Sequence, residues 1–371
     1  MLGIVFFILQ PDVFLSVANI ANLLVQAGSI CVLGMALVPV LLLGDIDLSA
    51  GVAGGAAAGV MAILVNKGLA WPIGILGAVG TGVLIGLCIG LLVARLGIPS
   101  FVVTLAFFIG LQGVTLRLIG EGGTVPVRNE TLVGIANSAL PVTAGWIVAI
   151  VVALLFAGLT FNRYRQQVAK NLQHPPLALV IMRIVGVAII LLGIAAILNS
   201  NRSRVPNFFV GGIPYTVPIV GLLLVVWTFV FSRTRYGRHV YAVGGNREAA
   251  RRAGIRITGI RISVFVIASS MAAIAGILDA SRLNSVTPDA GGGNTLLYAV
   301  GAAVIGGTSL FGGRGKMRDA IIGGLVIAVI NNGLSLMNLS SYINFWVTGL
   351  VLLLAAAVDA ISRRRRNASG I

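Results

Sequence analysis

Glu248 is the one acid in the longest polar interruption of the chain, residues 236–261, YGRHVYAVGGNREAARRAGIRITGIR. Arg251 and Arg252 follow it by three and four positions, the spacing at which opposite charges meet on one helix face. The chemistry on offer is ionic and hydrogen-bonding, not covalent. Asn246 stands where its side chain caps the free N–H groups of a short helix, and Glu248 falls in the first turn, where the helix dipole favours negative charge. Arg251 and Arg252 fall in the last turn, and Gly254 supplies the left-handed residue that ends it. A helix of about two turns is too short to stand alone in water. Ala249, Ala250 and Ala253 give it a flat, small face suited to a groove on another protein. The plainer alternative is a loop whose arginines meet anionic lipid.

Enzymatic chemistry is missing. The glycine-rich stretch GGTSLFGGRGKM at 306–317 has Gly315–Lys316 but carries Leu310 where a phosphate loop needs its leading glycine. Met317 stands where a hydroxyl should hold magnesium, so the stretch reads as a tight turn. His174 and His239 are alone in loops, Cys31 and Cys88 fall inside apolar runs, and no metal cluster or nucleophile–base set is present. We therefore expect no catalytic residue, no metal and no cofactor in this chain.

The elements that hold the docking helix are membrane spans. The chain is 58% hydrophobic and only 10% charged, with a mean hydropathy of +1.03, whereas soluble domains carry about 25% charge. Each span needs about 20 apolar residues, and the runs near 28–43, 51–66, 71–94, 99–119, 141–161, 177–198, 213–231, 262–280, 295–311, 319–336 and 343–361 supply them, with Gly306–Gly307 and Gly312–Gly313 as points where a helix within 295–336 could break. Residues 2–9 are read as the tail of a truncated first span, with no cleavable leader. Phe14 to Gln26 reads as an amphipathic helix lying at the interface. The expectation is an all-α polytopic membrane protein with about 10–12 transmembrane helices in a single domain over 1–371, with 236–261 as a cytoplasmic loop.

Charge orients the spans. With that loop in the cytoplasm, 20 of the 26 basic residues fall inside; Lys67, Arg117, Arg128, Arg202, Arg204 and Arg282 fall outside, as the positive-inside bias requires. The net charge of +16 is thus assigned to orientation and lipid contact, not to nucleic acid. Glycines repeat every four residues at 51, 55 and 59 and at 82, 86 and 90, a ridge that lets helix backbones approach closely. The ten acids lie at or near span boundaries, including Asp45 and Asp47, whereas ion-coupled carriers keep ionisable groups deep in the membrane. The mid-span polar groups are neutral: Thr104, Gln112, Asn331 and Asn332. They are weak candidates for lining a path suited to an uncharged, hydroxyl-rich solute, and better ones for hydrogen bonds between helices. Uphill movement then needs energy from a partner.

YAVGGNREAARRAGI at 241–255 is similar to the coupling segment of the permease subunits of bacterial ABC sugar importers, the ribose, galactose and xylose group. FLSVANIANLLVQAG, GDIDLSAGVAGG, LGIPSFVVTLA, GGTSLFGGRGK and the basic end after Asp359 match in the same order, from about Phe14 to Arg366. The extra pair of spans at 177–231 and the basic stretch RYRQQVAKNLQHPP most resemble the xylose branch. The resemblance implies an ABC importer permease fold in the bacterial inner membrane and a homodimer docked on two cytoplasmic ATPase subunits that carry ATP and magnesium. An extracytoplasmic binding protein would deliver a monosaccharide, with xylose the expected one and ribose or another small solute the alternative. A secondary transporter is the rival reading. Gly245, Asn246, Glu248, Ala249, Ala250 and Gly254 match the coupling motif, while Arg247 and Arg252 stand where variation is expected; Arg247 and Arg251 complete the ATPase-coupling set. Asp45, Asp47, Leu48 and Ser49 match an acidic motif of the family, for which helix capping is the plain explanation.

Overall fold

The computed structural model describes residues 2–357 apart from 204, 206, 340, 341, 344, 352, 355 and 356. Two short helices, α1 (Leu2–Leu9) and α2 (Pro11–Phe14), lead to α3 (Val17–Leu42), whose first turn is capped by Ser16 accepting the Asn19 N–H at 3.3 Å. The expected interface helix at 14–26 and the expected span at 28–43 are therefore one span. The physical reason lies in Asn19. Its amide faces protein and not headgroups, donating to the Phe14 carbonyl at 2.9 Å and to Asn332 at 2.8 Å.

After an irregular stretch at 43–49 come α4 (Ala50–Asn66), α5 (Trp71–Ala94) and α6 (Ser100–Ile119). A two-residue strand β1 (Val125–Pro126) and α7 (Glu130–Asn137) precede a long hairpin of α8 (Val142–Ala169) and α9 (Leu177–Asn199). Then follow α10 (Thr216–Arg233), α11 (Arg235–Gly245), α12 (Arg247–Arg252), α13 (Ile257–Leu283), β2 (Ser285–Val286), α14 (Thr295–Ile305) and α15 (Met317–Leu336). The strands pair antiparallel, Val125 opposite Val286. Among the described residues, eight helices are long and apolar enough to cross a membrane, and α4 and α14 are shorter apolar helices. The chain is a polytopic all-α membrane protein.

The expected span at 295–311 is only the eleven-residue α14. At 1.5 Å per residue it rises about 16 Å, roughly half of a bilayer core. Gly307, Gly312 and Gly313 take left-handed conformations, and the chain turns there before α15. The run at 343–361 is helical at its described positions; Asp359 and Arg363 to Arg366 lie outside the described residues, as does Arg204.

The core is centred on α3, α13 and α5. Gly82, Gly86 and Gly90 of α5 press on the α13 backbone, so a Cβ at Gly82 would stand 2.5 Å from the Ser269 carbonyl oxygen. This ridge packs within the chain. In the other ridge, Gly51 and Gly55 lie against the carbonyls of Gly291 and Ala290, in the segment leading into α14. The segment 287–294 before α14 thus packs against α4 inside the helix bundle.

Candidate functional site

α12 forms where its caps require. Asn246, in an extended conformation, accepts the Ala249 N–H at 2.9 Å, and Gly254 is left-handed with φ +79. Glu248 accepts from Arg251 at 2.8 Å and lies 3.5 Å from Arg252, all three side chains more than half exposed. The alanines do not share one face, however. Ala250 is buried against the chain's own core, while Ala249 and Ala253 point outward. Neighbouring helix positions differ by about 100° of rotation, so Ala250 anchors α12 while Ala249, Ala253, Glu248 and Arg252 form its outer surface.

A second helix, α11, precedes it within the segment expected to be loop. Thr234 accepts the Gly237 N–H at 3.2 Å to open it, and Gly237, Val240 and Val243 are buried. The signal in the sequence was the three- and four-residue spacing of Tyr236, Val240 and Val243, interleaved with Arg238 and His239. Gly244 has no room for a Cβ because the Leu42 carbonyl faces it. That carbonyl also accepts the Gly313 N–H at 2.8 Å, and the Tyr241 hydroxyl donates to the Gly315 carbonyl at 2.6 Å. Burial, with Asp319 adding to it, holds the Tyr241 phenol above its usual pKa, so it remains a donor at neutral pH. The end of α3, α11 and the glycine-rich turn are thereby tied together.

Asp45 is the ionic centre of this pole. Arg261, in the first turns of α13, donates to its two oxygens from Nε at 3.0 Å and Nη2 at 2.8 Å, and from Nη1 to the Val93 carbonyl of α5 at 3.2 Å. Arg247 of α12 donates to the Leu43 carbonyl at 2.9 Å and to Asp45 at 3.3 Å. One buried carboxylate joins α12 to the ends of α3, α5 and α13. Asp47 acts locally, its Oδ1 accepting the Ser49 N–H at 2.9 Å and the Ser49 hydroxyl at 2.6 Å, where α4 begins.

The four neutral mid-span residues are scattered. Thr104 is buried and donates to the Ser100 carbonyl of its own helix at 2.9 Å and to Ile46 at 3.3 Å. Gln112 lies beside Gly292. Asn332 exchanges amide hydrogen bonds with Asn19, and the Asn331 side-chain oxygen is buried without a partner among the described residues. None of them lines the cavity of about 250 Å³ between α4, α13 and the segment before α14. That cavity is edged by Asp279, Arg282, Thr287, Asp289 and Thr295, with Arg282 and Asp279 3.7 Å apart. In the sequence Asp279 and Asp289 sit at span boundaries; the return of 287–294 into the bundle gives them a shared space.

The family model described as the branched-chain amino acid transport system permease component matches residues 19–356. The xylose transport system permease protein XylH of Escherichia coli (strain K12) is 36% identical over 354 residues, covering 95% of this chain and 87% of the relative. XylH of Haemophilus influenzae is 34% identical over 364 residues, with 97% and 94% covered. The ribose import permease protein RbsC of Escherichia coli (strain K12) is 30% identical over 358 residues, with 95% and 88% covered. No solved structure matches the chain.

Proposed function

The chain belongs to the branched-chain amino acid transport system permease-component family, and from that premise we propose that it is the translocating subunit of an ATP-driven importer of a monosaccharide, xylose. The observation that carries this reading is α12: an exposed, capped helix whose Arg247 is tied through Asp45 to three membrane helices. A push on α12 by an ATPase moves α3, α5 and α13 together, because a buried carboxylate held by two guanidinium groups resists separation.

The partners in this reading are a second copy of the chain, two ATPase subunits that hold ATP and magnesium, and an extracytoplasmic binding protein. The setting is the bacterial inner membrane, with 236–261 facing the cytoplasm as the coupling loop of a single permease domain. Gly245, Asn246, Arg247, Glu248, Ala249, Ala250, Arg251 and Gly254 form the coupling set, and α12 is the ATPase contact. At the opposite pole Asp279 and Asp289 offer acceptors and Arg282 offers donors, the chemistry that a sugar's vicinal hydroxyls need. Xylose is favoured because the relatives named for it are 34–36% identical. The ribose relative, at 30%, supports ribose as the second solute.

The test is uptake of labelled xylose and ribose into proteoliposomes holding this chain, its ATPase and its binding protein. Xylose uptake that requires all three and ATP is the expected result. Uptake that persists without the ATPase and collapses with a proton ionophore would replace the reading with secondary transport.

A further inference from the structure

Four residues after Leu310 the chain begins a run of cations, Arg314, Lys316 and Arg318, and the fold places them opposite Arg238 of α11 across an open cleft of about 960 Å³. All four side chains are exposed. Among the described residues the cleft contains a single acid, Asp319, and its charge is already engaged. Its Oδ2 accepts the Lys316 backbone N–H at 2.7 Å and the Thr308 hydroxyl at 3.2 Å, and its Oδ1 lies 4.0 Å from Arg318 Nε. Arg238, Arg314 and Lys316 have no ion-pair partner among the described residues. Like charges gathered without a counter-charge repel one another, and a bound anion would relieve that repulsion.

The floor and one wall give that anion its identity. Phe231 and Met317 are buried beneath the cations, and Thr228 and Ser232 offer hydroxyls from the last turns of α10. Along the same helix, away from the basic pole, Leu222, Val225, Val226 and Phe229 are exposed, in a helix apolar enough to cross the membrane. The basic cleft thus continues into an apolar helix face. A soluble phosphate would use only the cations; a phospholipid would use both.

We infer that this cleft binds the phosphate headgroup of an anionic phospholipid, with its acyl chains along α10. Arg238 and Arg314 hold the phosphate from two sides, and Lys316 and Arg318 complete the ring. Because Tyr241 of α11 bonds to Gly315 within the same cleft, the lipid fastens α11 to the glycine-rich turn just ahead of α12.

The experiment is native mass spectrometry of the full chain, titrated in detergent with phosphatidylglycerol, with phosphatidylcholine of the same acyl chains and with inorganic phosphate. The expected result is one retained phosphatidylglycerol per chain, preferred over phosphatidylcholine, and a higher melting temperature on binding. At roughly fivefold per basic residue, Arg238→Gln with Arg314→Gln should weaken retention about thirty-fold. Arg251→Gln with Arg252→Gln, on α12, should leave it unchanged. Equal retention of both lipids, or retention unaltered by the cleft variants, would overturn the inference. Displacement by millimolar inorganic phosphate would reassign the cleft to a free anion. Loss of the lipid on assembly with the ATPase would reassign it to a protein contact.

Discussion

Arg261 and Asp45, 216 positions apart in the chain, meet through a two-pronged contact of 3.0 and 2.8 Å. Both side chains are largely buried, 14% and 6% exposed. Removing one partner strands the other charge in a poorly solvated place, at a cost of about 3–5 kcal/mol. Arg247, 3.3 Å from the same carboxylate, moderates the loss when Arg261 is removed but not when Asp45 is. Thermal unfolding in detergent should rank Asp45→Ala below Arg261→Ala, with the double variant recovering part of the loss. Additive losses in the double variant would sink the pairing.

Among the described residues, Glu248 bonds only to arginines on its own short helix, in solvent. Exposed pairs of this kind contribute a few tenths of a kcal/mol, so Glu248→Lys should insert and melt almost as the parent does. If the outer face of α12 carries the ATPase contact, sugar uptake should fall while ATP hydrolysis persists. Unchanged transport in this variant would remove Glu248 from the coupling set.

The split of the alanines is directly measurable. In a background lacking Cys88, single cysteines at Ala249 and Ala253 should react quickly with a maleimide, and a cysteine at the buried Ala250 slowly. Bound ATPase should protect the first two. Protection of neither would count against α12 as the docking helix.

Asn19 and Asn332 exchange two amide hydrogen bonds, at 2.8 and 2.9 Å, between α3 and α15. Hydrogen bonds between membrane helices are worth roughly 1 kcal/mol, while a buried amide left alone loses its partner's compensation. Asn19→Leu and Asn332→Leu should each destabilise, and the double substitution should cost less than their sum. A coupling energy of zero in that cycle would show the pair to be independent.

Much of α12 was legible in the sequence because its determinants are local. The cap at Asn246, the ion pairs of Glu248 and the left-handed Gly254 each act within one or two turns, and residues that close together report on each other without the rest of the chain. Membrane spans were legible for a similar reason: an unbroken apolar run in lipid has few alternatives to a helix. Boundaries were less so. Nothing in the stretch 14–43 announces that Asn19 will find Asn332, and without that partner its polar side reads as one turned to water. For the eleven-residue α14 the glycine pairs at 306–307 and 312–313 marked a possible break, and the fold decided that the chain turns there.

Asp45 marks the limit of the sequence by itself. Composition, charge bias and the spacing of residues 246–254 determined that this is a multi-pass membrane protein with a capped basic helix between two spans. Only tertiary structure decided what that helix is attached to. A carboxylate at position 45 can meet guanidinium groups at 247 and 261 only after α3, α12 and α13 have packed, and contacts across about two hundred residues leave no periodic trace. The same holds for the cleft shared by Arg238 and Arg314. Each is one more cation at a basic pole, and their juxtaposition exists only in the fold.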